Sequence, residues 1–574
     1  MVPFVLALGT GTLCLAVSLT FAFVWHLLHR LTSPGKAIPG IPVLPVDCYA
    51  DLPDNAWLGT VKRVLGLPTR TFGLAYIFGL SDQWSTLPGR CIIKKAHESL
   101  GGIFQYFSFG HVVVQISDPV AAHAVLTALD KVISPVSIGL VPGGPLDTLV
   151  LRSTDLIPRS LFIMPSGRDH ALKKNTFKKC FHEAVVDAQK KMVCSVYRKF
   201  SEHLERAATD KTQVLFDVAM SSLTIESLTE VVFKFDLEKQ GSSSYADLSA
   251  EFEAVLGTVW ISSFPPLTLA AMFLPTFLIP FSSIRRYKLA RTRIDKCVSL
   301  MWQNMLSLPP EQIESPSLIR ALLDYSRQPG VGAVDVKAEI FLFLVAGHET
   351  VSHSLSWFFM LLAAYPMAQL ECQQAIDQQA EGEDDAGSSQ LLPPYVEAVL
   401  KESMRLFPTA GGSTRVVGKS PMTICVRKSP SSGKYEETKE EEEIEVIVLP
   451  KGTYCNVNFF SLHRNKSVWG SDADEFNPSR WLGRNDAMES SHVFEGGGPK
   501  PGELSFAPFS FGHRGCIGRT FALLEMRIFI TKMLKQYSFA FADPEFSTRG
   551  EDVVVEKLTA RPAKSLPLLL TRRR

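Results

Sequence analysis

From about residue 155 to 410, apolar positions recur with a helical period, most clearly in Glu183–Arg206 and Leu223–Val232. Four short pieces read instead as strands, rich in β-branched and aromatic residues: Val112–Ile116, Met422–Val426, Ile444–Leu449 and Tyr454–Phe459. The pattern predicts a mainly α protein with a small β region and no internal repeat. One helix stands out. Asp335 can cap it, it runs through Ile340–Val345 to Tyr365, and Pro366 stops it. At about 45 Å it is long enough to cross a whole domain. A second amphipathic helix, Thr520–Tyr537, follows a glycine-rich stretch near the carboxyl end.

Two apolar stretches break the globular pattern. Pro3 to Leu28 carries no charge and as a helix would measure about 35–40 Å, enough for a hydrocarbon core. No basic residue of a signal-peptide n-region precedes it, whereas Arg30 and Lys36 follow it. The expectation is therefore an uncleaved anchor over residues 1–30 with the carboxyl side in the cytosol. Pro34, Pro39, Pro42 and Pro45 make residues 31–48 a stiff strap, leaving 49–574 as the main domain. On the cytosolic side the sequon Asn465-Lys466-Ser467 reads as a chance match. The other stretch, Val259–Phe281, is interrupted by Pro265, Pro266, Pro275 and Pro280. It reads as short bent helices that dip into a lipid face, or as an ordinary buried helix pair.

Composition narrows the classes. The chain has 574 residues, 46% hydrophobic and 20% charged, which excludes a disordered chain. With 59 Lys+Arg against 58 Asp+Glu, nothing in the bulk charge favours a nucleic-acid partner. Lys434–Glu445 is strongly acidic and lies between two predicted strands, so it reads as a solvated hairpin loop or an acidic recognition patch. The 10 cysteines contain no C-x-x-C and no zinc-like spacing, and reduced thiols are the simpler reading.

Cys516 is set apart by its surroundings, Phe509-Ser-Phe-Gly512-His-Arg514-Gly515-Cys516-Ile-Gly518. The glycines allow tight turns and close approach to a flat partner. Backbone N–H groups at the start of the following helix would favour a thiolate. A thiolate held this way suits a soft metal, and a single axial cysteine is how a haem-thiolate site is made.

The segment Phe509-x-x-Gly512-x-Arg514-x-Cys516-x-Gly518 resembles the haem-binding signature of the cytochromes P450. Further motifs follow the family's order: Ala346-Gly347-His348-Glu349-Thr350, Glu402-x-x-Arg405, and Asn477-Pro478-Ser479-Arg480-Trp481. The resemblance covers about residues 35 to 570. It implies a cytochrome P450 fold carrying haem b, with Cys516 as axial iron ligand and Arg415 and Arg514 facing haem propionates. Ala346 and Gly347 would let the planar cofactor press against the long helix. Thr350 would help deliver protons to iron-bound dioxygen, with Glu349 linking that relay to solvent. Glu402, Arg405 and Arg480 would form a buried charge network. The sequence departs from the family at the early helix, where His170 and Lys174 occupy places usually held by Trp and Arg. In that frame both face the propionates, and Lys173, Lys178 and Lys179 face outward. Ser479 and Trp481 depart likewise from the loop motif.

The implied activity is a monooxygenase that inserts one oxygen atom of dioxygen into a lipophilic small molecule and reduces the other to water. Electrons would come from NADPH through a separate reductase, and the protein would sit in the endoplasmic reticulum membrane by one span. A haem-thiolate isomerase or dehydratase acting on a peroxide would need neither reductase nor proton relay, and a haem carrier or sensor would need no acid–alcohol pair. Substrate contacts are expected from Val132–Leu151, Ser262–Leu278, the helix before Ala346 and Thr409–Thr414. The acidic insertion and the GGGPKPGE approach to the cysteine loop suggest specialised-metabolite chemistry, with sterols and fatty acids also open.

Overall fold

The computed structural model describes residues 37–43, 87–108, 111–128, 132–133, 160–162, 164, 166–239, 244–256, 282–378, 392–418, 420–427, 444–482, 503–543, 554–556, 559–562 and 565–573. The chain opens with α1 (Leu87–Leu100), β1 (Ile103–Ser108), β2 (His111–Ile116), α2 (Pro119–Thr127) and β3 (Val132–Ile133). Then come α3 (Arg168–Lys178), α4 (Glu183–Ala188), α5 (Lys190–Thr209), β4 (Val214–Leu215) and α6 (Phe216–Ser227). A π-turn, Leu228–Val232, extends α6. Next are α7 (Tyr245–Leu256), α8 (Ser282–Ser307), α9 (Leu318–Ser326), α10 (Ala333–Ala364), α11 (Pro366–Asp377) and α12 (Pro394–Leu406). The carboxyl part holds β5 (Gly412–Val417), β6 (Met422–Arg427), β7 (Ile444–Leu449), β8 (Tyr454–Asn458), α13 (Phe459–Leu462) and α14 (Lys466–Trp469). It ends with α15 (Arg519–Gln536), β9 (Tyr537–Phe541), β10 (Val554–Glu556), β11 (Ala560–Pro562) and β12 (Pro567–Arg572).

The mainly helical architecture with a small β region follows the expectation, and its boundaries show the local physics. The periodic run Glu183–Arg206 divides at Gln189 into α4 and α5. Leu223–Val232 straddles the end of α6 and the π-turn. Asp335 lies inside the first turn of α10 and caps it by accepting from the Gly332 N–H at 2.9 Å. Pro366 ends α10 by starting α11, where its missing N–H costs nothing. Asn465, the sequon residue, caps α14 through its carboxamide oxygen and donates to the Ser117 carbonyl.

Helices build one core around α10, whose residues from Val336 to Ala363 are mostly buried and which packs against α6, α12, α15 and the π-turn. A second core lies under a five-stranded sheet in the order β1-β2-β8-β5-β3, with β2 and β8 parallel and the other pairs antiparallel. Residues 37–43 of the predicted strap are stitched onto this sheet. Ile38 and Ile41 are buried in its core, and the Gln105 side chain bonds the Ile38 N–H and the Ile38 and Ile41 carbonyls. A separate two-stranded sheet, β6–β7, shows Ile444, Val446 and Val448 on its outward face, each more than half exposed. β4, β12 and β9 form another small sheet.

Among the described residues no helix is long and apolar enough to cross a membrane. The uncharged run Pro3–Leu28 lies outside the described residues, as do most of Val132–Leu151, the Ser262–Leu278 segment and most of the acidic stretch.

Candidate functional site

The loop before α15 is built by its own backbone. The Cys516 N–H donates to the Phe509 carbonyl at 2.9 Å, and the Gly515 N–H to the Gly512 carbonyl at 2.9 Å. Gly512 sits at φ +70°, and a Cβ there would collide with the Leu126 carbonyl of α2, so only glycine fits. Gly512 thus serves the close approach of loop to α2. Gly518, which begins α15, has nothing within 4 Å of its would-be Cβ.

Cys516 is exposed, whereas Cys180, Cys194, Cys297, Cys372 and Cys455 are buried. Desolvation is nonetheless the largest influence on its thiol and pushes its pKa up. The Gly518 and Arg519 N–H groups and the charges of Lys174 and Arg519 act in the other direction. The protein thus supplies the elements that stabilise a thiolate, short of a full positive charge bonded to the sulfur.

Beside the loop stands a cluster of cationic side chains. Lys174 Nζ donates to the His513 carbonyl at 2.5 Å and the Gly515 carbonyl at 3.2 Å. Arg514 bonds Ser166 Oγ at 3.1 Å and the Leu161 and Met164 carbonyls. Arg415, on β5, is 2% exposed. Its Nη1 bonds Ser413 Oγ and the Thr414 carbonyl, while its Nε and Nη2 are buried with no hydrogen-bond partner among the described residues. No carboxylate among the described residues pairs with Lys174, Arg415 or Arg514. The consequence shows in their proton affinities. Burial, then the charges of Lys178 and Arg514, brings Lys174 down to about 8. Burial holds Arg415 and Arg514 near 10, and it lowers His170 to about 3 and His513 to about 4, with the neighbouring cations adding to both. Such a cluster calls for an anion with more than one oxygen, because unpaired buried guanidinium N–H groups are costly.

Across the fold, α10 shows a local break in its burial. Ala346 is exposed and Thr350 half-buried, although Leu344, Val345, His348 and Val351 beside them are buried. Thr350 Oγ1 donates to the Ala346 carbonyl at 2.8 Å. Glu349 is buried. The missing side chain of Gly347 faces Leu228 of the π-turn, so this glycine serves helix packing. His348 packs its ring on Phe252 and bonds the Leu344 carbonyl through Nδ1.

The charge network predicted around Glu402 is assembled. Arg405 forks onto both Glu402 oxygens, and Arg480 Nε reaches Oε1 at 3.0 Å. The Trp481 indole N–H donates to Oε2 at 3.0 Å, which gives this departure from the family loop a use that a phenylalanine could not fill. Arg405 also bonds the carbonyls of His463, Ala473 and Glu475, and so ties α12 to the end of α13 and to the segment after α14.

One expectation is overturned outright. Lys173 does not face solvent. It is buried and paired with Glu339 of α10, a residue sequence reasoning passed over. Its signal was a lone carboxylate in the apolar stretch before Ala346, a position that demands a partner. Lys178 and Lys179 are exposed, as expected. Sequence reasoning also passed over Ser166 and His513, which meet at 3.1 Å beside Arg514.

The model for the family Cytochrome P450 matches residues 76–424 and 426–561. "Probable cytochrome P450 313a1" of Drosophila melanogaster is 29% identical over 269 residues, 45% of this chain and 46% of that one. A self-sufficient cytochrome P450 monooxygenase of Oidiodendron maius is 28% identical over 297 residues, 50% of this chain and 24% of its own. Cytochrome P450 monooxygenase 128 of Postia placenta is 31% identical over 213 residues, covering 37% and 36%. The chain spans less than half the length of these relatives.

Proposed function

Because the chain belongs to the cytochrome P450 family, we propose that it is a haem-thiolate monooxygenase acting on a lipophilic small molecule. The observation that carries this reading is the pairing of an exposed, loop-framed Cys516 with a cationic cluster that has no carboxylate partner among the described residues. These residues fit haem b. The Cys516 sulfur would bind the iron, and Arg415, through its two unpartnered nitrogens, would take a propionate. Haem supplies the activation of dioxygen when bound.

The chain's own residues account for the rest. Gly518 and Arg519 N–H groups and Lys174 favour the thiolate at Cys516 Sγ. Arg514 holds the loop to Leu161, Met164 and Ser166. Ala346 leaves α10 without bulk where its face is exposed, and Thr350 Oγ1, one turn on, can hold a proton donated toward that space. Glu349 is next to it in sequence and would carry protons between Thr350 and solvent. Electrons would come from NADPH through a separate reductase, for which exposed Lys178 and Lys179 offer a cationic approach. The uncharged Pro3–Leu28 run supports single-span anchoring in the endoplasmic reticulum membrane, with the catalytic part in the cytosol. A sterol, a fatty acid or a specialised metabolite such as a terpenoid or polyketide is the substrate class this setting suits.

The test is spectroscopic. The full-length protein, purified with haem and reduced under carbon monoxide, should show the red-shifted Soret band of a thiolate ligand, and Cys516→Ala should lose it. A variant that keeps that band would remove Cys516 from the role. Peroxide turnover without reductase, and no NADPH-linked oxygenation with one, would favour an isomerase or dehydratase instead.

A further inference from the structure

Lys173 and Glu339 form a buried ion pair between α3 and α10. Lys173 Nζ lies 2.5 Å from Glu339 Oε1 and also donates to the Tyr325 hydroxyl of α9 at 2.9 Å. Lys173 is 7% exposed and Glu339 is 0% exposed. A pair this deep is a poor way to hold two helices together, because desolvating both charges offsets much of their attraction and apolar residues would do as well. Its geometry suggests another use. The same Oε1 accepts the Leu161 N–H at 2.9 Å. The Leu161 carbonyl in turn accepts from Arg514 Nη1 at 3.4 Å, and the next carbonyl around the turn, that of Met164, accepts from Nη2. The turn is closed by the Met164 N–H on the Ser160 carbonyl, and Ser166 Oγ completes the grip on Arg514. Ser160, Leu161, Met164 and Ser166 therefore form a clip held on one side by Glu339 and on the other by the cysteine loop.

We propose that the Lys173–Glu339 pair is a positioning device for the cysteine loop: by fixing the Leu161 N–H it fixes the carbonyls that hold Arg514, and so keeps the cationic cluster assembled for the anionic edge of the haem. The inference rests on the haem reading above. Glu339 never touches the cofactor in this account and acts only through Leu161 and Arg514. Lysine is suited to the inner end because its single ammonium can meet the carboxylate and the Tyr325 hydroxyl at once. Burial pushes the Glu339 carboxyl up to about 7, and Lys173 and the Leu161 N–H pull in the other direction, toward the charged form.

The experiment uses the full-length holoprotein and measures the rate of haem transfer to excess apomyoglobin, beside the melting temperature. Glu339→Gln and Arg514→Lys should each speed haem loss about tenfold, and the combined variant no more than either alone, since both act on one chain of contacts. Multiplying effects, or haem loss at the wild-type rate in Glu339→Gln, would overturn the proposal. Should Glu339→Gln fail to fold, Lys173→Met/Glu339→Met keeps the packing without buried charge. It should hold the wild-type melting temperature yet lose haem about tenfold faster, and wild-type haem retention in it would also overturn the proposal. A wild-type protein that takes up no haem, or takes it up without the thiolate band, would bring down the haem reading and this inference together. Normal wild-type haem with unaffected variants would bring down this inference alone.

Discussion

Leu228 stands where a side chain on Gly347 would have to go: a Cβ there would lie 2.7 Å from Leu228 Cδ2 and 3.1 Å from Cδ1. The glycine of the long helix is thus a contact between α10 and the π-turn. The clash in Gly347→Ala should cost about 1–3 kcal/mol, toward the lower end because the obstacle is the tip of a flexible side chain, less the ~0.5–1 kcal/mol that alanine gains over glycine inside a helix. The cost should shrink in a Leu228→Val background. Chemical denaturation of the four proteins in that cycle gives the answer, and a Gly347→Ala effect left unchanged by Leu228→Val would mean the two helices are not held this close.

Glu402→Gln should destabilise the protein by about 3–5 kcal/mol, since it leaves Arg405 buried with no counter-charge and Arg480 with Asp472 alone. Trp481→Phe removes one hydrogen bond to the same carboxylate and should cost about 1 kcal/mol. Urea midpoints of both variants beside wild type separate the two magnitudes.

Glu525, fully inside α15, is raised by burial to about 8, with Ser227 pulling weakly the other way. Its ordinary value is 4.5. Between these values the folded state holds a proton that the unfolded chain has released, so its contribution to stability falls as pH rises and is lost above about 8. The buried histidines work in the opposite sense, but below their ordinary value of 6.5. From pH 6.5 to 8 the carboxyl effect therefore stands clear of theirs. The melting temperature of Glu525→Gln should gain on wild type steadily across that range. A constant gap would show that Glu525 titrates normally.

Lys174→Ala should speed haem loss, because Lys174 bridges the His513 and Gly515 carbonyls that flank Arg514 and lead to Cys516. Lys178→Ala, one turn along α3 and exposed, should lose haem at the wild-type rate and instead weaken a salt-sensitive encounter with reductase. A haem-transfer assay on the two variants decides it, and equal rates would detach Lys174 from the loop.

Much of the helical scaffold was legible because its signals are local. The period of α10, the proline at its end and the glycine frame of Cys516 each act within a turn or two of chain. The Glu402–Arg405 pair was legible because the two lie a single helical turn apart, whereas Arg480 came only from the resemblance to the family. What escaped was set by long-range packing. Lys173 and Lys174 are neighbours in sequence, and nothing local says that one faces Glu339 and the other the cysteine loop. Gly347 and Ala346 read alike as small residues, yet one faces Leu228 and the other is exposed. The break of α4 from α5 at Gln189 has no glycine or proline to announce it.

The β6–β7 hairpin carries a consequence for the protein at high concentration. Among the described strands each pairs only with the other, and Ile444, Val446 and Val448 line one outward face. An open strand edge with β-branched side chains is a template on which a second molecule can add its own strand. The sequence joining the two strands holds Glu436, Glu437, Glu440, Glu441, Glu442 and Glu443. Like charges in that joining sequence repel a neighbour approaching edge to edge, the usual gatekeeping of an unavoidable sticky strand. Because this repulsion is screened beyond roughly 8–10 Å at moderate salt, the acidic run guards against self-association most strongly in dilute buffer, and added salt should make the protein less soluble.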